Sequence, residues 1–199
     1  MAATPAITLV RPAARYRPDI QRLASDARVA ATCNVPHPYP ADGAERWLAI
    51  ATAGWRSGSH HAYLVLDGDS CCGVMTIARL PGRVPSCHVD YWIGAPYQGR
   101  GIGSAALART LALARTEHGL GIAFSGCLQR NQASVRILER NGFRRTAGFL
   151  NAGIYGSKFL DEWCWRYRLD LDPAAAGAPD PTLHPPEALA ISWLEDPPP

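Results

Sequence analysis

The stretch "YWIGAPYQGRGIGSAALARTLALAR", Tyr91 to Arg115, runs from a short apolar strand through a proline turn into a glycine-rich bend, then into a long helix without a break. Gly99, Gly101 and Gly103 alternate where that helix begins. Glycines there let several backbone N–H groups converge on one point with no side chain in the way. The helix N-terminus adds partial positive charge, so the bend suits a phosphate or pyrophosphate. Two familiar phosphate loops do not match. A P-loop needs Gly-Lys-Ser/Thr, but Gly103 is followed by Ser104 and Ala105. The dinucleotide fingerprint needs G-x-G-x-x-G, whereas the spacing here is G-x-G-x-G and no acidic residue closes the next strand. The plainer alternative is a turn that only packs a strand on a helix.

Upstream of the bend, "SCHVDYWIG" reads as a strand and "HAYLVLDGDSCCGVMTIARL" as a hairpin, two apolar runs joined by Asp-Gly-Asp-Ser. "AITLVRPA" is a first strand closed by Pro12. "YRPDIQRLASDARVAAT" then spaces Ile20, Leu23, Ala24 and Ala27 as a helix does. "CNVPHPYPADG" is a loop held extended by Pro36, Pro38 and Pro40. In "ADGAERWLAIATAGWRSG" Asp42 is the expected cap of a helix with Trp47, Leu48 and Ala51 on its apolar face. Downstream, "GIAFSGCL" is a short apolar strand, and "NQASVRILERNGF" a compact helix capped by Asn131 and stopped by a left-handed Gly142. "WCWRYRL" sets Trp163, Trp165, Tyr167 and Leu169 against Cys164, Arg166 and Arg168, the alternation of a half-buried strand. The order predicts a mixed α/β domain over residues 1–171 and a Pro/Ala-rich tail over 172–199. Within the tail, "PPEALAISWLED" has the pattern of a short amphipathic helix carrying Leu189, Trp193 and Leu194.

The 199 residues amount to one domain of ordinary size. Net charge is only +3 and the Lys and Arg residues are scattered, so no nucleic-acid surface is indicated, while a local anion site is open. No apolar run approaches the ~20 residues a bilayer requires. The first residues lack a basic start, a long apolar stretch and a cleavage site, which points to the cytoplasm. The six cysteines show no C-x-x-C spacing and read as reduced, buried thiols. His37, His60 and His61 show no metal-ligand spacing, so surface or loop roles are expected and no metal is.

Gln98-Gly99-Arg100-Gly101-Ile102-Gly103 has the Q/R-x-x-G-x-G/A pattern and resembles the GNAT superfamily of acetyltransferases. Asn131 to Phe143 is similar to that superfamily's N-x-x-S/A helix ending in Gly-Phe. More narrowly, "YWIGAPYQGRGIG", "NQASVRILERNGF", the "VPHPY" loop and the closing Asp161…Tyr167-Arg168-Leu169 resemble the RimJ/RimL type, over residues 7–170. The resemblance implies the GNAT acyl-CoA N-acyltransferase fold, a mixed central sheet with splayed parallel strands flanked by helices. It implies acetyl-CoA as co-substrate, lying between the strands "HVDYWI" and "AFSGCL". Backbone groups around Tyr91, Trp92 and Ile93 would bind the pantetheine arm and polarise the thioester carbonyl. Gln98, Gly99, Arg100, Gly101, Ile102, Gly103 and Ser104 would hold the pyrophosphate; for Arg100 a solvated loop role is the alternative. Asn131 would serve as both cap and pantetheine contact, and Ser134 would contact the sulfur, unless it only satisfies the helix start.

The implied reaction is direct attack of a primary amine on the thioester, so something must accept a proton. Strand alternation puts His88, Asp90 and Trp92 on one face and Val89, Tyr91 and Ile93 on the other. His88, where relatives commonly carry Glu, is the candidate base. Asp90, where they commonly carry Gly, would assist it or bind a cationic substrate; the alternative is that both line a polar cleft. The tyrosine acid many members place seven residues after the motif Asn is here Leu138. Asp161 is expected to cap rather than catalyse. The acceptor would be a protein N-terminal α-amine or a small-molecule amine, chosen by the "CNVPHPYP" loop, the first two helices and Ala147 to Leu160, in a monomer or homodimer. The missing Glu and Tyr favour a second reading, a non-catalytic acyl-CoA-binding or regulatory module of the same fold.

Overall fold

Alternating apolar runs build one seven-stranded sheet in the order β1-β2-β3-β4-β5-β7-β6. The computed structural model describes residues 6–151 and 157–178. The strands are β1 (Ile7–Val10), β2 (His60–Asp67), β3 (Ser70–Leu80), β4 (Ser86–Ile93), β5 (Ile122–Leu128), β6 (Arg144–Leu150) and β7 (Trp163–Asp170). β1 to β4 pair antiparallel, β4 and β5 parallel, and β5, β7 and β6 antiparallel. Helices α1 (Arg17–Ala24), α2 (Ala27–Ala30), α3 (Gly43–Ser57), α4 (Ile102–Thr116) and α5 (Gln132–Arg140) cover the two faces.

The period-2 pattern of β4 divides the core. Cys87, Val89 and Ile93 pack with Ile102, Leu107 and Leu138 of α4 and α5. Trp92 packs on the opposite face with Ile20 and Leu23 of α1 and Trp47 of α3. The helix expected from Tyr16 onward is two helices: the chain breaks at Ser25, and Asp26 accepts the Arg28 N–H at 2.9 Å to cap the second. Asp42 flanks α3 but its side chain makes no capping bond. Gln21 of α1 does so instead, accepting the Ala44 N–H at 3.0 Å. Asn131 caps α5, and Gly142 follows it at φ 83°, both as the sequence predicts.

Strand β6 escapes sequence reading because it is an exposed edge: it opens Arg144-Arg145, contains Gly148 and alternates nothing. Its presence changes β7, which becomes an interior strand between β5 and β6. The expected half-buried alternation therefore holds only in part: Tyr167 is buried and Trp165 and Leu169 pack on the main core, but Cys164 and Arg168 of the other face are buried too, and Trp163 is 53% exposed. Arg168 is satisfied inside, donating Nε to Asp170 at 2.8 Å and Nη1 and Nη2 to the carbonyls of Ala178 and Ala175. Ala175, beyond residue 171, is buried against Ile122 and Phe124. Leu189, Trp193 and Leu194 lie outside the described residues.

All six cysteines are free, and five are buried. His61, expected at the surface or in a loop, is buried in β2. Among the described residues there is no group of side chains able to hold a metal, and no helix long and apolar enough to cross a membrane.

Candidate active site

β4 and β5 pair only from Ser86–Ile122 to His88–Phe124 and then part. At the fork Ser125 Oγ donates to the Val89 carbonyl at 2.9 Å, taking an acceptor that a continuing ladder would have used. Gly94 donates its N–H to Cys72 of β3 at 2.8 Å. Peptide groups alternate sides along a strand, so those of Val89, Tyr91 and Ile93 face the gap and those of Asp90 and Trp92 face β3. Gln98 Nε2 donates to the Ile93 carbonyl at 2.8 Å, so this side chain ties the glycine bend to the strand end.

The three glycines divide by role. Gly99 and Gly101 have φ of 74° and 79°, and a Cβ on either would meet nothing within 4 Å. They make a left-handed bend that opens on free space, where a ligand can approach the backbone closely. Gly103 is different: its Cβ would lie 2.9 Å from Ile137 Cδ1 and 3.4 Å from Ile93 Cγ1, so it lets α4 pack tightly on α5 and β4. The first intrahelical bond runs from Ala105 N–H to Gly101 O at 3.1 Å. The N–H groups of Ile102, Gly103 and Ser104 therefore have no acceptor within the helix. Ser104 Oγ accepts from Asn141 Nδ2 at 3.1 Å, fixing this start to the end of α5. Arg100 is exposed, 3.7 Å from Asp67 and over the Tyr97 ring. Together the open bend and the free N–H groups fit a pyrophosphate, and the gap-facing peptides of Tyr91 and Ile93 fit an amide-bearing arm.

On the face with Trp92, His88 Nδ1 lies 3.0 Å from Asp90 Oδ2. The proline-rich loop packs on the same face, around Trp92. Lys158 Nζ donates to the carbonyls of Ala30 and Val35 at 2.7 and 2.6 Å, pinning the loop's root, and burial lowers its pKa. Cys33 sits where it feels both Lys158 and Asp90; burial pushes its thiol up to about 11. Val35, Pro36, Tyr39 and Trp92 line an apolar crevice alongside.

On the opposite face, Asn131 Oδ1 accepts the Ser134 N–H at 3.1 Å. Tyr91 OH and Ser134 Oγ are 2.8 Å apart, joining β4 to the first turn of α5. Burial pushes the Cys127 thiol up to about 11, against the opposing influence of nearby Ser134. Leu138 is fully buried in the core. Asp161 is a turn residue at φ 60°, its N–H bonded to Asn151 O at 3.0 Å. The structure thus gathers His88 and Asp90 on one face of the sheet at the fork, Tyr91, Asn131 and Ser134 on the other, and the bend at the end of the gap. Sequence reasoning missed the side chains of Tyr91, Ser125, Cys127 and Lys158. Period-2 alternation located Tyr91's face but carries no signal for a contact 43 residues away.

The family model described as an acetyltransferase (GNAT) domain matches residues 7–144. No curated protein sequence matches the chain. Among solved structures, the ribosomal L7/L12 alpha-N-protein acetyltransferase RimL in complex with coenzyme A superposes with a TM-score of 0.75 at 18% identity, over 85% of this chain and 96% of that one. The microcin C7 self-immunity acetyltransferase MccE, in complex with acetyl-CoA and AMP, gives 0.73 at 16% identity, over 82% and 92%. Spermidine N-acetyltransferase from Vibrio cholerae, in complex with CoA and spermine, gives 0.71 at 14% identity, over 83% and 95%. The forked sheet, the open glycine bend and the family match agree: this chain belongs to the GNAT acetyltransferase domain family and is an acetyl-CoA-dependent N-acetyltransferase.

Proposed function

We propose that the chain acetylates a singly charged primary amine, a peptide N-terminal α-amine, with His88 as general base. The observation that carries this reading is the His88–Asp90 pair beside the fork. With Asp90 ionised, the imidazole keeps its proton on Nδ1 and donates it to the carboxylate, which leaves the Nε2 lone pair for the incoming amine. Acetyl-CoA supplies the activated acyl group. Gln98, Gly99, Arg100, Gly101, Ile102, Gly103 and Ser104 would hold its pyrophosphate, and Tyr91, Trp92, Ile93 and Asn131 its pantetheine arm. The amine nitrogen forms a bond to the thioester carbon as the carbon–sulfur bond breaks. Its surplus proton passes to His88 Nε2, directly or through a water. A gap-facing N–H of β4 steadies the oxyanion, and Ser134 meets the departing sulfur.

Asp90 is the carboxylate hydrogen-bonded to His88, and one carboxylate suits one ammonium charge better than the several of a polycation. RimL, an alpha-N-protein acetyltransferase by its description, is consistent with a peptide acceptor. The test measures free CoA thiol released from acetyl-CoA with short N-terminal peptides, with aminosugars and with spermidine. Release with peptides is expected. Release with spermidine or aminosugars alone overturns the acceptor assignment, and silence with every amine despite acetyl-CoA binding overturns it too, placing the acceptor outside these classes.

A further inference from the structure

We infer that Tyr91 acts through its side chain as well as its backbone, as a positioning residue that holds Ser134 as a hydrogen-bond donor to the sulfur of CoA. The inference rests on the reading above in one respect, that the pantetheine arm lies in the fork.

Tyr91 and Ser134 share one hydrogen bond of 2.8 Å, and only one hydroxyl can donate in it. A phenol is the more acidic partner and so the better donor, which directs Tyr91 O–H toward Ser134 Oγ. Burial raises the Tyr91 pKa further above its ordinary value, so the phenol stays protonated and stays a donor. Ser134, with a lone pair occupied, has its own proton to give elsewhere. A sulfur is already near it: Ser134 is close enough to Cys127 to pull that thiol's pKa down against burial. In the resting enzyme that neutral thiol is a weak partner. A thiolate is a much stronger acceptor, so as the carbon–sulfur bond breaks, donation from Ser134 turns to the leaving sulfur. The bond is then stronger in the transition state than in the ground state, which is the condition for it to accelerate the step. No proton need pass along the pair; it polarises and aims. The phenol thus comes from β4 and works through Ser134, while Leu138 of α5 is committed to the core.

The first experiment reads the thiol of bound CoA, independently of any acceptor. CoA is titrated on the protein and followed by the ultraviolet absorbance of its thiolate against free protein. Wild type is expected to lower the pKa of the bound thiol below that of free CoA. Tyr91→Phe, which removes one hydroxyl, should raise it by about one unit with CoA affinity unchanged. Ser134→Ala should raise it further, and adding Tyr91→Phe to Ser134→Ala should then change nothing, because the tyrosine acts only through the serine. In turnover, Tyr91→Phe is expected to lower kcat by about tenfold with the KM for acetyl-CoA unchanged. Circular dichroism and the Ser134→Ala partner guard against a fold effect. Unchanged titration and kcat in Tyr91→Phe, or fully additive losses in the double variant, would overturn the role of Tyr91 alone. Failure of wild type to bind CoA overturns the parent reading and this one together.

Discussion

At His88 the decisive fact is which ring nitrogen is free. The 3.0 Å contact from Nδ1 to Asp90 leaves Nε2 as the nitrogen for the proposed proton transfer, so in that mechanism two neighbours on one strand would serve as a base and its orienter. His88→Ala is expected to lower kcat by roughly 100-fold or more with little change in acetyl-CoA affinity. Asp90→Asn keeps the shape and frees the tautomer, so a smaller loss is expected; kcat and KM against pH for both variants check this. A normal rate and pH profile in His88→Ala would remove the imidazole from the mechanism. This pair was legible in the sequence because strand periodicity alone puts residues two apart on one face. The Tyr91–Ser134 contact was not, because it depends on where α5 docks.

Among the elements, the start of α4 separates two uses of glycine that look alike in sequence. Gly101→Asn tolerates a positive φ, so folding should survive while the added side chain fills the space a pyrophosphate needs; acetyl-CoA affinity measured by calorimetry should fall by at least about tenfold. Gly103→Ala should behave in the opposite sense. Its Cβ lies too close to Ile137, so urea unfolding should show a loss of about 1–3 kcal/mol, with acetyl-CoA affinity the less affected quantity. Equal affinity losses in both would mean that the glycines are not divided in this way. Helices α4 and α5 were readable because their caps and stops are local. The cap of α3 was not, since Gln21 reaches it from another helix. Nor was β6, whose pairing partner β7 supplies the order that its own residues do not encode.

At the scale of the molecule, the chain carries an acid-labile cluster away from the fork. His61 stacks on His118 at 4.1 Å, meets Trp55 edge-on at 4.5 Å, and leaves Nδ1 buried without a hydrogen-bond partner. His118 itself is bonded to Tyr63 at 2.9 Å. Burial first, then His118, Arg79, His60 and Arg11, hold the His61 pKa down to about 4. Burial and Arg79 also lower His118, against the opposing pull of Glu117. The unfolded chain therefore takes up these protons before the folded one does. The associated stability is present above the ordinary histidine value of 6.5 and is lost progressively as pH falls from there toward about 4. Thermal melts of wild type across that range should show the loss, and His61→Phe should flatten it; an unchanged slope would rule out His61 as its source.

The sheet itself is two antiparallel blocks, β1 to β4 and β5-β7-β6, seamed by three residue pairs. Past His88 the ladder between the blocks is unzipped: Ser125 still reaches the Val89 carbonyl and Gln98 the Ile93 carbonyl, and beyond them the inner edge of β4 faces the space between. A molecule laid along that seam with amides of its own takes the part of an eighth strand. The free protein then has amide hydrogens at Tyr91 and Ile93 open to exchange with solvent in the middle of its sheet, and the loaded protein shields them. On the proposed placement of acetyl-CoA, substrate binding would be the last step of sheet formation, and the tightness with which the two blocks hold together a function of acetyl-CoA concentration.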